Sequence, residues 1–405
     1  MNAQTSPGRT QVLVVGAGPV GLLAALRLRE QGIAVRVVEQ QAELSVRSFP
    51  VVLHAQSIRL LNELGLAPTL FWRGRPVTRL AIYTEHERRA VLDLPKVKGV
   101  APGLLTLPQD VLRQALLNAL ARTGVEVEWN TRLAVLAQDN GAAWCRLIHE
   151  ARHHDARAAT SEHVDAFDAE YVIGADGYES TVRDALGIGM VEHGALSSYA
   201  FFDAATHRAG REAQLVLAES GAGAAYPLQD GSARFSFQMS RALSRPADAH
   251  LLKELLSSRM PWYATEVERC TWSGVAEFRS ALALRFGLGR VWLAGEAAHL
   301  TGPLGVQSLN VGLDEANELA LRIADAIRHP ARSGFGPDYE AKRLLQWREL
   351  LGLEDRASFS ARSPEWARQN LARLVPCLPA SEADLDDLLD QLRVVPASNR
   401  PHAGH

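Results

Sequence analysis

The stretch that decides the fold is QVLVVGAGPVG, residues 11–21. Its first half is a run of apolar residues, and its second half has the spacing GxGxxG. A helical pattern of apolar residues follows, ends at Gly32, and leads into a second apolar run, residues 33–38. The order strand, glycine turn, helix, strand predicts a parallel βαβ unit that binds a dinucleotide. The alternative is a glycine-rich turn that only packs.

The residues of this turn have separate predicted roles. Gly16 permits a tight turn, Gly18 lets a pyrophosphate approach the backbone, and Gly21 allows the helix to pack closely on the strand. Pro19 and Val20 begin the helix, whose free N–H groups and positive dipole end favour phosphate. We therefore expect all five residues to contact the cofactor or to shape its site.

An acidic residue closes the second strand. Glu39 is followed by Gln40, and a carboxylate at this position accepts hydrogen bonds from the ribose of an adenosine. Both residues are therefore predicted at the adenosine half of the cofactor. The motif by itself does not choose between FAD and a nicotinamide cofactor.

A second segment, YVIGADGYESTVR, covers residues 171–183. An apolar strand leads into a turn with Asp176 and Gly177, and Ser180 precedes a short helix. Two interpretations stay open here. The Asp176 carboxylate accepts hydrogen bonds from ligand hydroxyls, or the turn simply precedes a helix that Ser180 caps.

A third segment, VWLAGEAAHLTGPLGVQSLN, covers residues 291–310 and is followed by a helix with one apolar stripe. The start of that helix directs partial positive charge toward its surroundings, and a reduced flavin carries negative charge at one ring edge. The segment therefore predicts a site that holds an anion. The cofactor contacts that we expect from it are Gly295, Glu296, Gly305, Val306, Gln307, Ser308, Leu309 and Asn310.

The order of the three segments resembles the flavoprotein aromatic hydroxylases of the para-hydroxybenzoate hydroxylase fold, over residues 12–327. The resemblance implies that the first segment holds the ADP half of FAD and that the second is associated with FAD and NAD(P)H. In the third, Glu296 stands where the family has an aspartate that holds the ribityl chain. Arg47 and Gln109 match positions that the family places against the ribityl chain or the flavin ring.

Two further departures from the family pattern lie beside the flavin. Val306 and Ser308 replace common glycines, and the β-branched Val306 limits how closely the backbone can approach the ring. The resemblance also places the backbone around Pro303 at the reacting ring. His299 is either a general base or a structural residue.

The resemblance and the sequence texture together predict an α/β (α+β) fold. We expect a Rossmann-like FAD-binding domain, a second domain with a mainly antiparallel sheet that binds substrate, and C-terminal helices. The second domain is rich in aromatic residues, among them the predicted substrate contacts Phe201, Tyr226 and Phe237. The predicted limits are 1–75, 98–188 and 279–330 for the first domain, 76–97 and 189–278 for the second, and 331–405 for the C-terminal segment.

Composition excludes several classes of protein. The 43 basic and 46 acidic residues leave a net charge of −3 over 405 residues, which argues against nucleic acid as a partner. The apolar runs are too short to span a bilayer, so we expect a cytoplasmic protein without membrane insertion. Three separated cysteines form no zinc or CxxC pattern. The histidines of residues 149–163 suggest a metal site, but this segment lies where a hairpin turn is expected between strands at 143–148 and 164–173, so we predict a solvated loop. No metal is expected.

The resemblance implies an NAD(P)H- and O₂-dependent flavin monooxygenase. Such an enzyme hydroxylates a small aromatic or polyketide-like substrate through a C4a-hydroperoxyflavin, with NAD(P)H docking transiently because there is no second GxGxxG motif. The alternatives are another flavin oxidoreductase on the same scaffold, such as an epoxidase, N-hydroxylase or reductase, or a redox-inactive FAD-binding partner protein. We expect a monomer or a homodimer.

Overall fold

The computed structural model describes residues 8–42, 50–95, 103–139, 141–150, 162–207, 210–240, 246–330, 336–354 and 357–396. Its helices are α1 (Pro19–Glu30), α2 (Ala55–Glu63), α3 (Ala67–Arg73), α4 (Gln109–Arg122), α5 (Thr181–Ala185), α6 (Ala249–Arg259), α7 (Gln307–Arg328), α8 (Gly336–Leu350), α9 (Glu365–Leu374) and α10 (Glu382–Gln391). Its strands are β1 (Gly8–Val15), β2 (Val35–Val38), β3 (Pro50–His54), β4 (Arg75–Val77), β5 (Arg79–Thr84), β6 (Glu87–Asp93), β7 (Leu104–Pro108), β8 (Val127–Glu128), β9 (Thr131–Gln138), β10 (Ala143–Glu150), β11 (Glu162–Gly174), β12 (Met190–Thr206), β13 (Glu212–Ala218), β14 (Gly221–Pro227), β15 (Ser232–Met239), β16 (Val267–Ala283), β17 (Gly287–Leu288), β18 (Val291–Leu293), β19 (His299–Leu300), β20 (Ala357–Phe359) and β21 (Val394–Pro396).

The first sheet forms around the apolar run of β1. This strand pairs in parallel with β2 on one side and β11 on the other, in the order β17-β18-β11-β1-β2-β8. Val12, Leu13 and Val14 are fully buried, which is typical of a parallel strand covered on both faces. The predicted parallel βαβ unit is confirmed.

Helix α1 begins and ends at the predicted residues. Gly18 precedes the helix in an extended conformation, and Pro19 takes an early position where a missing N–H breaks no intrahelical bond. Gly32 follows the helix end with a φ of +76°, a conformation that favours glycine. The helix packs against α4 and α7, so the cofactor turn is fixed from both sides.

Strand β11 takes part in two pairings. Residues 162–169 pair antiparallel with β10, and residues 167–174 pair in parallel with β1. The predicted hairpin between the strands near 143–148 and 164–173 is therefore confirmed. Residues 151–161 of the histidine-containing segment lie outside the described residues.

The second sheet has the order β19-β16-β12-β15-β14-β13-β5-β6 and is antiparallel except between β13 and β5. One face packs on α6, with Phe202, Phe235 and Phe237 fully buried between them. The other face is turned toward a large cavity. The mixed α/β architecture with a mainly antiparallel second sheet agrees with the prediction, whereas the exact domain limits stay a prediction.

The C-terminal segment packs back onto the first domain. Trp347 and Arg343 of α8 are fully buried against α7, and residues 375–378 pass beside the loop that precedes α7. Helices were predicted here, but the short antiparallel pair β20–β21 was not. A strand of three residues has too little pattern to be found from sequence.

Candidate functional site

One elongated cleft opens at the carboxyl ends of β1, β2 and β11. It consists of an inner cavity of about 1130 Å³ and an outer cavity of about 450 Å³. The residues that line both of them are Gly18, Pro19, Gln109, Ala175 and Gly177. The glycine turn and the Asp176 turn therefore meet at the junction, as ligand sites in open parallel sheets usually do.

The glycines of the first motif have the surroundings that their predicted roles require. Gly16 has a φ of +103°, and a Cβ atom there would lie 2.3 Å from the carbonyl oxygen of Ala175. A Cβ on Gly21 would lie 2.1 Å from the Gly16 carbonyl oxygen. Gly18 instead has open space within 4 Å of its Cβ position, so a phosphate can approach its backbone.

The outer cavity holds the acidic end of β2. Glu39 accepts hydrogen bonds from the backbone N–H of Ala17 at 2.8 Å and of Gln41 at 3.0 Å, and Gln40 lines the cavity beside it. Arg113 of α4 also lines this cavity and donates to the Ala17 carbonyl at 2.9 Å. Burial lowers the pKa of Arg113, although Glu39 opposes the shift.

Arg113 was missed by the sequence analysis. It comes from a helix nearly a hundred residues after the glycine motif, and only the tertiary fold brings the two together. Its place at the phosphate turn makes it a cation available to a dinucleotide.

The Asp176 turn combines both predicted interpretations. Asp176 lines the outer cavity, but its carboxylate already accepts hydrogen bonds from Ser180 Oγ at 2.6 Å, Thr181 Oγ1 at 2.9 Å and Val182 N at 3.1 Å. Ser180 Oγ in turn accepts from the backbone N–H of Arg183 and caps α5. The carboxylate therefore stabilises the start of α5 and also faces the ligand side.

Glu296 faces the inner cavity from the short turn Gly295–Ala297. Its carboxylate has no hydrogen-bond partner within the described part of the chain. Burial raises its pKa, and the nearby His299 opposes that shift. A carboxylate acceptor that faces the cavity and lacks a protein partner fits a hydroxylated ligand such as a ribityl chain.

The loop before α7 is held by buried side chains. Leu304 O accepts from Tyr226 Oη at 2.9 Å, and Gly305 O accepts from His54 Nε2 at 2.8 Å. Val306 O accepts from Asn310 Nδ2, also at 2.8 Å. In a planar trans peptide the following N–H points opposite to the carbonyl. The N–H groups of this loop therefore point away from these buried side chains.

Val306 takes the left-handed conformation, with φ 51° and ψ 37°, and directly precedes α7. A left-handed residue followed by a right-handed helix turns successive N–H groups into one concave anion site. The first N–H groups of the helix also lack intrahelical acceptors, and Val306, Ser308 and Leu309 line the inner cavity. The structure therefore brings a helix start with free N–H groups to the inner cavity, and its role in holding an anion stays a prediction.

His54 was missed because a single histidine at the end of a short strand has no motif. It is fully buried, and burial lowers its pKa to about 3 although its bond to Gly305 opposes the shift. The imidazole is therefore neutral at neutral pH. Since a carbonyl only accepts, His54 Nε2 carries the proton that it donates to Gly305 O.

Two predicted contacts have side chains that turn away from the cleft. Gln307 Nε2 donates to Leu378 O at 2.6 Å and Ala380 O at 2.9 Å. The Asn310 side chain accepts from His54 N and Ser57 Oγ. Both residues are buried, so only their backbone groups remain for a cofactor. A Cβ on Gly305 would lie 2.3 Å from Pro376 O, so the same C-terminal segment also backs this glycine.

The general-base role considered for His299 is wrong. The side chain is fully buried, bonds through Nε2 to Glu315 Oε2 at 2.9 Å, and stacks on Trp347 with 3.6 Å between ring centroids. It lines neither cavity. The structural alternative is supported, because β19 directs this side chain into the contact between α7 and α8.

Phe237 was also wrongly predicted to contact substrate. Side chains alternate along β15, so Arg234 and Ser236 face the inner cavity while Phe237 packs against α6. Phe201 and Tyr226 do line the inner cavity, as does Pro303. The Tyr226 hydroxyl donates to the Leu304 carbonyl, however, so its ring and not its hydroxyl faces the ligand space.

Trp272 and Phe278 complete the aromatic wall of the inner cavity. Beside them Arg234 forms a bidentate ion pair with Asp203, with both N–O distances at 2.7 Å. The sequence analysis missed this pair because its members lie on neighbouring strands. Arg47 lies outside the described residues.

Comparison with known proteins identifies the class. The family model described as FAD binding domain matches residues 9–352, and the chain belongs to this family. The predicted FAD cofactor and the family resemblance are thereby confirmed.

Relatives of the chain are monooxygenases by name. The chain is 28% identical over 342 residues to 6-methylpretetramide 4-monooxygenase of Streptomyces rimosus, covering 82% of this chain and 59% of that protein. It is 26% identical over 365 residues to pentachlorophenol 4-monooxygenase of Sphingobium chlorophenolicum, covering 87% and 65% respectively. The chain thus spans less than two thirds of either relative.

A solved structure shares the fold over most of its length. The crystal structure of p-nitrophenol 4-monooxygenase from Pseudomonas putida matches with a TM-score of 0.68 and 23% identity, covering 84% of this chain and 85% of that one. Among the described residues, no helix is both long and apolar enough to cross a membrane. The same residues contain no cluster of three or more histidine, cysteine, aspartate or glutamate side chains that could hold a metal.

Proposed function

We propose that this protein is an FAD-dependent monooxygenase that uses NAD(P)H and O₂ to hydroxylate a small aromatic or polyketide-like molecule. The observation that carries the proposal is the continuous cleft, which joins the outer cavity at the dinucleotide turn to the aromatic-lined inner cavity, where Pro303 also lies. A cofactor laid along the cleft would place its ring end beside the substrate space.

The residues present fit FAD along the whole cleft. Gly18 and Arg113 would hold the pyrophosphate. Glu39 would accept hydrogen bonds from the adenosine ribose with the same carboxylate oxygens that already accept from two backbone N–H groups. Glu296 has an unused acceptor for the ribityl chain, and the N–H groups at Val306 would meet the negative edge of the ring. When bound, FAD supplies the redox and oxygen-transfer chemistry.

The chain itself contributes position, electrostatics and exclusion of water. Phe201, Tyr226, Trp272 and Phe278 form a wall that orients a flat aromatic molecule opposite the Pro303 loop. Such an apolar enclosure keeps water from the reacting atoms. Within the described lining, the charged side chains are Glu296 and Arg234, so no acid–base pair directed at the substrate is part of the proposal.

NAD(P)H would reduce the cofactor from a transient position. The sequence has one GxGxxG motif, and the ADP half of FAD would fill the outer cavity that this motif lines. A nicotinamide donor therefore needs to dock in the open part of the cleft. The cytoplasmic location and the monomeric or homodimeric state remain predictions from sequence.

The test uses the purified protein. FAD content is measured from the absorbance spectrum, then NADPH and NADH oxidation and O₂ uptake are followed with a panel of phenols and fused aromatics, and products are weighed by mass spectrometry. Substrate-stimulated NAD(P)H oxidation with a product heavier by one oxygen atom supports the proposal. Bound flavin that neither nicotinamide reduces would indicate the redox-inactive alternative, and turnover without oxygen transfer would indicate another oxidoreductase.

The Glu296→Gln variant tests the assignment of the cleft to FAD. Loss of the carboxylate weakens the hydrogen bonds to the ribityl hydroxyls, so FAD should bind roughly tenfold more weakly, the scale of one hydrogen bond to a charged group. Glu277→Gln on the second sheet is the control, and it should leave FAD affinity unchanged. Equal affinity in the Glu296 variant would remove this residue from the site.

A further inference from the structure

The charge in the wall of the inner cavity carries information about the substrate. Among the described residues, Arg234 is the one cationic side chain that lines this cavity, and it lies on the second sheet within the aromatic wall. Its charge is already matched. Arg234 Nε and Nη2 donate to Asp203 Oδ1 and Oδ2 at 2.7 Å each.

The surroundings hold this ion pair in one geometry. Arg234 and Asp203 are directly opposite each other on β15 and β12, and their side chains are only 9% and 16% exposed. The guanidinium carbon of Arg234 lies 4.7 Å from the ring centroid of Trp272, which also lines the cavity. A planar bidentate pair against an aromatic ring loses little additional freedom when a ligand binds.

The pairing decides which ligand group can meet Arg234. A carboxylate placed there would lie close to the Asp203 carboxylate, and would lose its hydration for a cation whose charge is already neutralised. A neutral oxygen meets neither penalty. The Nη1 group of Arg234 is not part of the ion pair and can donate to a carbonyl or phenol oxygen.

We propose that the substrate is an uncharged, flat aromatic molecule with a carbonyl or phenol oxygen at the end that meets Arg234, and that the Arg234–Asp203 pair selects against aromatic carboxylates. The inference rests on the proposed function, and it assigns Asp203 as a specificity-determining residue. The substrate stacks along the wall that includes Trp272 while Asp203 keeps the wall electrically neutral.

The test measures binding to the oxidised FAD-loaded protein, without turnover. Danthron, a neutral dihydroxyanthraquinone, and rhein, its carboxylic acid derivative, form a matched pair, and rhein is ionised at neutral pH. By calorimetry the wild type should bind danthron at least about tenfold more tightly than rhein, the scale of one hydrogen bond to a charged group. Equal affinities, or tighter binding of rhein, would overturn the inference.

The Asp203→Asn variant should expose the charge of Arg234 to the ligand. Rhein should then bind at least about tenfold more tightly than it binds the wild type, while danthron affinity changes by less than about threefold. The matched control is Glu192→Gln on the same strand, where Glu192 pairs with Arg279 on the exposed surface. It should leave both affinities unchanged.

The double variant Asp203→Asn, Arg234→Gln removes both charges but keeps two polar partners. It should lack the gain in rhein affinity, and an equal gain there would show that the charge of Arg234 is not the cause. If Asp203→Asn does not retain FAD, the wild-type preference decides alone. A wild-type protein that binds no FAD would instead contradict the proposed function, whereas FAD-loaded protein without ligand preference contradicts only this inference.

Discussion

Replacement of Glu315 is the strongest test of how the turn Gly295–Ala297, which contains Glu296, is held in place. Glu315 is fully buried on α7. Its Oε2 accepts from the Gly295 backbone N–H and interacts with His299 Nε2, both at 2.9 Å, and its Oε1 accepts from Trp347 Nε1 at 2.7 Å. One carboxylate thus joins the turn that precedes Glu296, strand β19 and helix α8.

The magnitude follows from these partners. In Glu315→Ala the Gly295, His299 and Trp347 groups stay buried without an acceptor, which should cost about 3–5 kcal/mol of folding free energy. For a chain of this length that corresponds to a fall in Tm of roughly 4–6 °C. Glu315→Gln keeps the shape, but its NH₂ group cannot accept a hydrogen bond, so it should cost about 1–3 kcal/mol.

The same residue predicts a pH dependence. Burial by itself raises the pKa of Glu315, but His299, Arg343 and Trp347 outweigh it and the pKa is lowered. A lowered folded-state pKa contributes stability that is complete above the unfolded value, near 4.5, and is lost as the pH falls through the folded value. The Glu315→Gln variant should therefore lose less stability than the wild type on acidification below that value.

The assay is thermal unfolding followed by flavin and tryptophan fluorescence, together with FAD affinity. Because Gly295 precedes Glu296, both Glu315 variants should also bind FAD more weakly, by roughly tenfold if one hydrogen bond to Glu296 is lost. The control is Asp325→Asn on the same helix, where Asp325 pairs with His329 at the surface. Unchanged Tm and FAD affinity in Glu315→Gln would refute the reasoning.

Three further predictions concern the two glycine-rich segments. Tyr226→Phe leaves the Leu304 carbonyl without its donor, so urea titration should show that the free energy of unfolding falls by about 1 kcal/mol. Because the ring is kept, calorimetry should show that substrate affinity stays within about twofold of the wild type. A large loss of substrate affinity would instead assign the hydroxyl to the ligand. Val306→Gly relieves the strain of the left-handed backbone, about 1–2 kcal/mol. Glycine also gives the unfolded chain more conformational freedom, which destabilises the fold by a smaller amount. The same titration should therefore show equal or greater stability, and clear destabilisation would contradict the presence of strain. Gly21→Ala places a Cβ 2.1 Å from the Gly16 carbonyl oxygen and so disturbs the glycine turn. The variant should therefore lose FAD during gel filtration. A variant that keeps FAD would show that α1 can shift to make room for the methyl group.

Local pattern was enough to predict the FAD-binding half of the molecule. The sequence predicted the βαβ unit, the start and end of α1 and the turn at Glu296. It could do so because a glycine motif and the spacing of apolar residues are both patterns within one continuous segment. The position of the α7 start at the cavity was also expected, since helix starts have the same free N–H groups wherever they occur.

The errors came from residues whose environment depends on segments that are far away in sequence. His299 follows the flavin turn in sequence, but Glu315 and Trp347 draw it into the interior. Phe237 was chosen for its aromatic ring, and the face on which it lies depends on the register of β15. Arg113 and Asp203 were missed for the same reason, because their partners lie on other elements.

The contact between the C-terminal segment and the loop of Val306 has a consequence for the order of events during synthesis. Gly305 packs against Pro376, and Gln307 donates to the carbonyls of Leu378 and Ala380. Chains emerge from the ribosome with the N-terminus first. The glycine motif is therefore made long before residues 376–380, which pack against the loop of Val306. FAD should consequently be captured in its final position only after this segment has been translated, and nascent chains stalled before it should carry no tightly bound flavin.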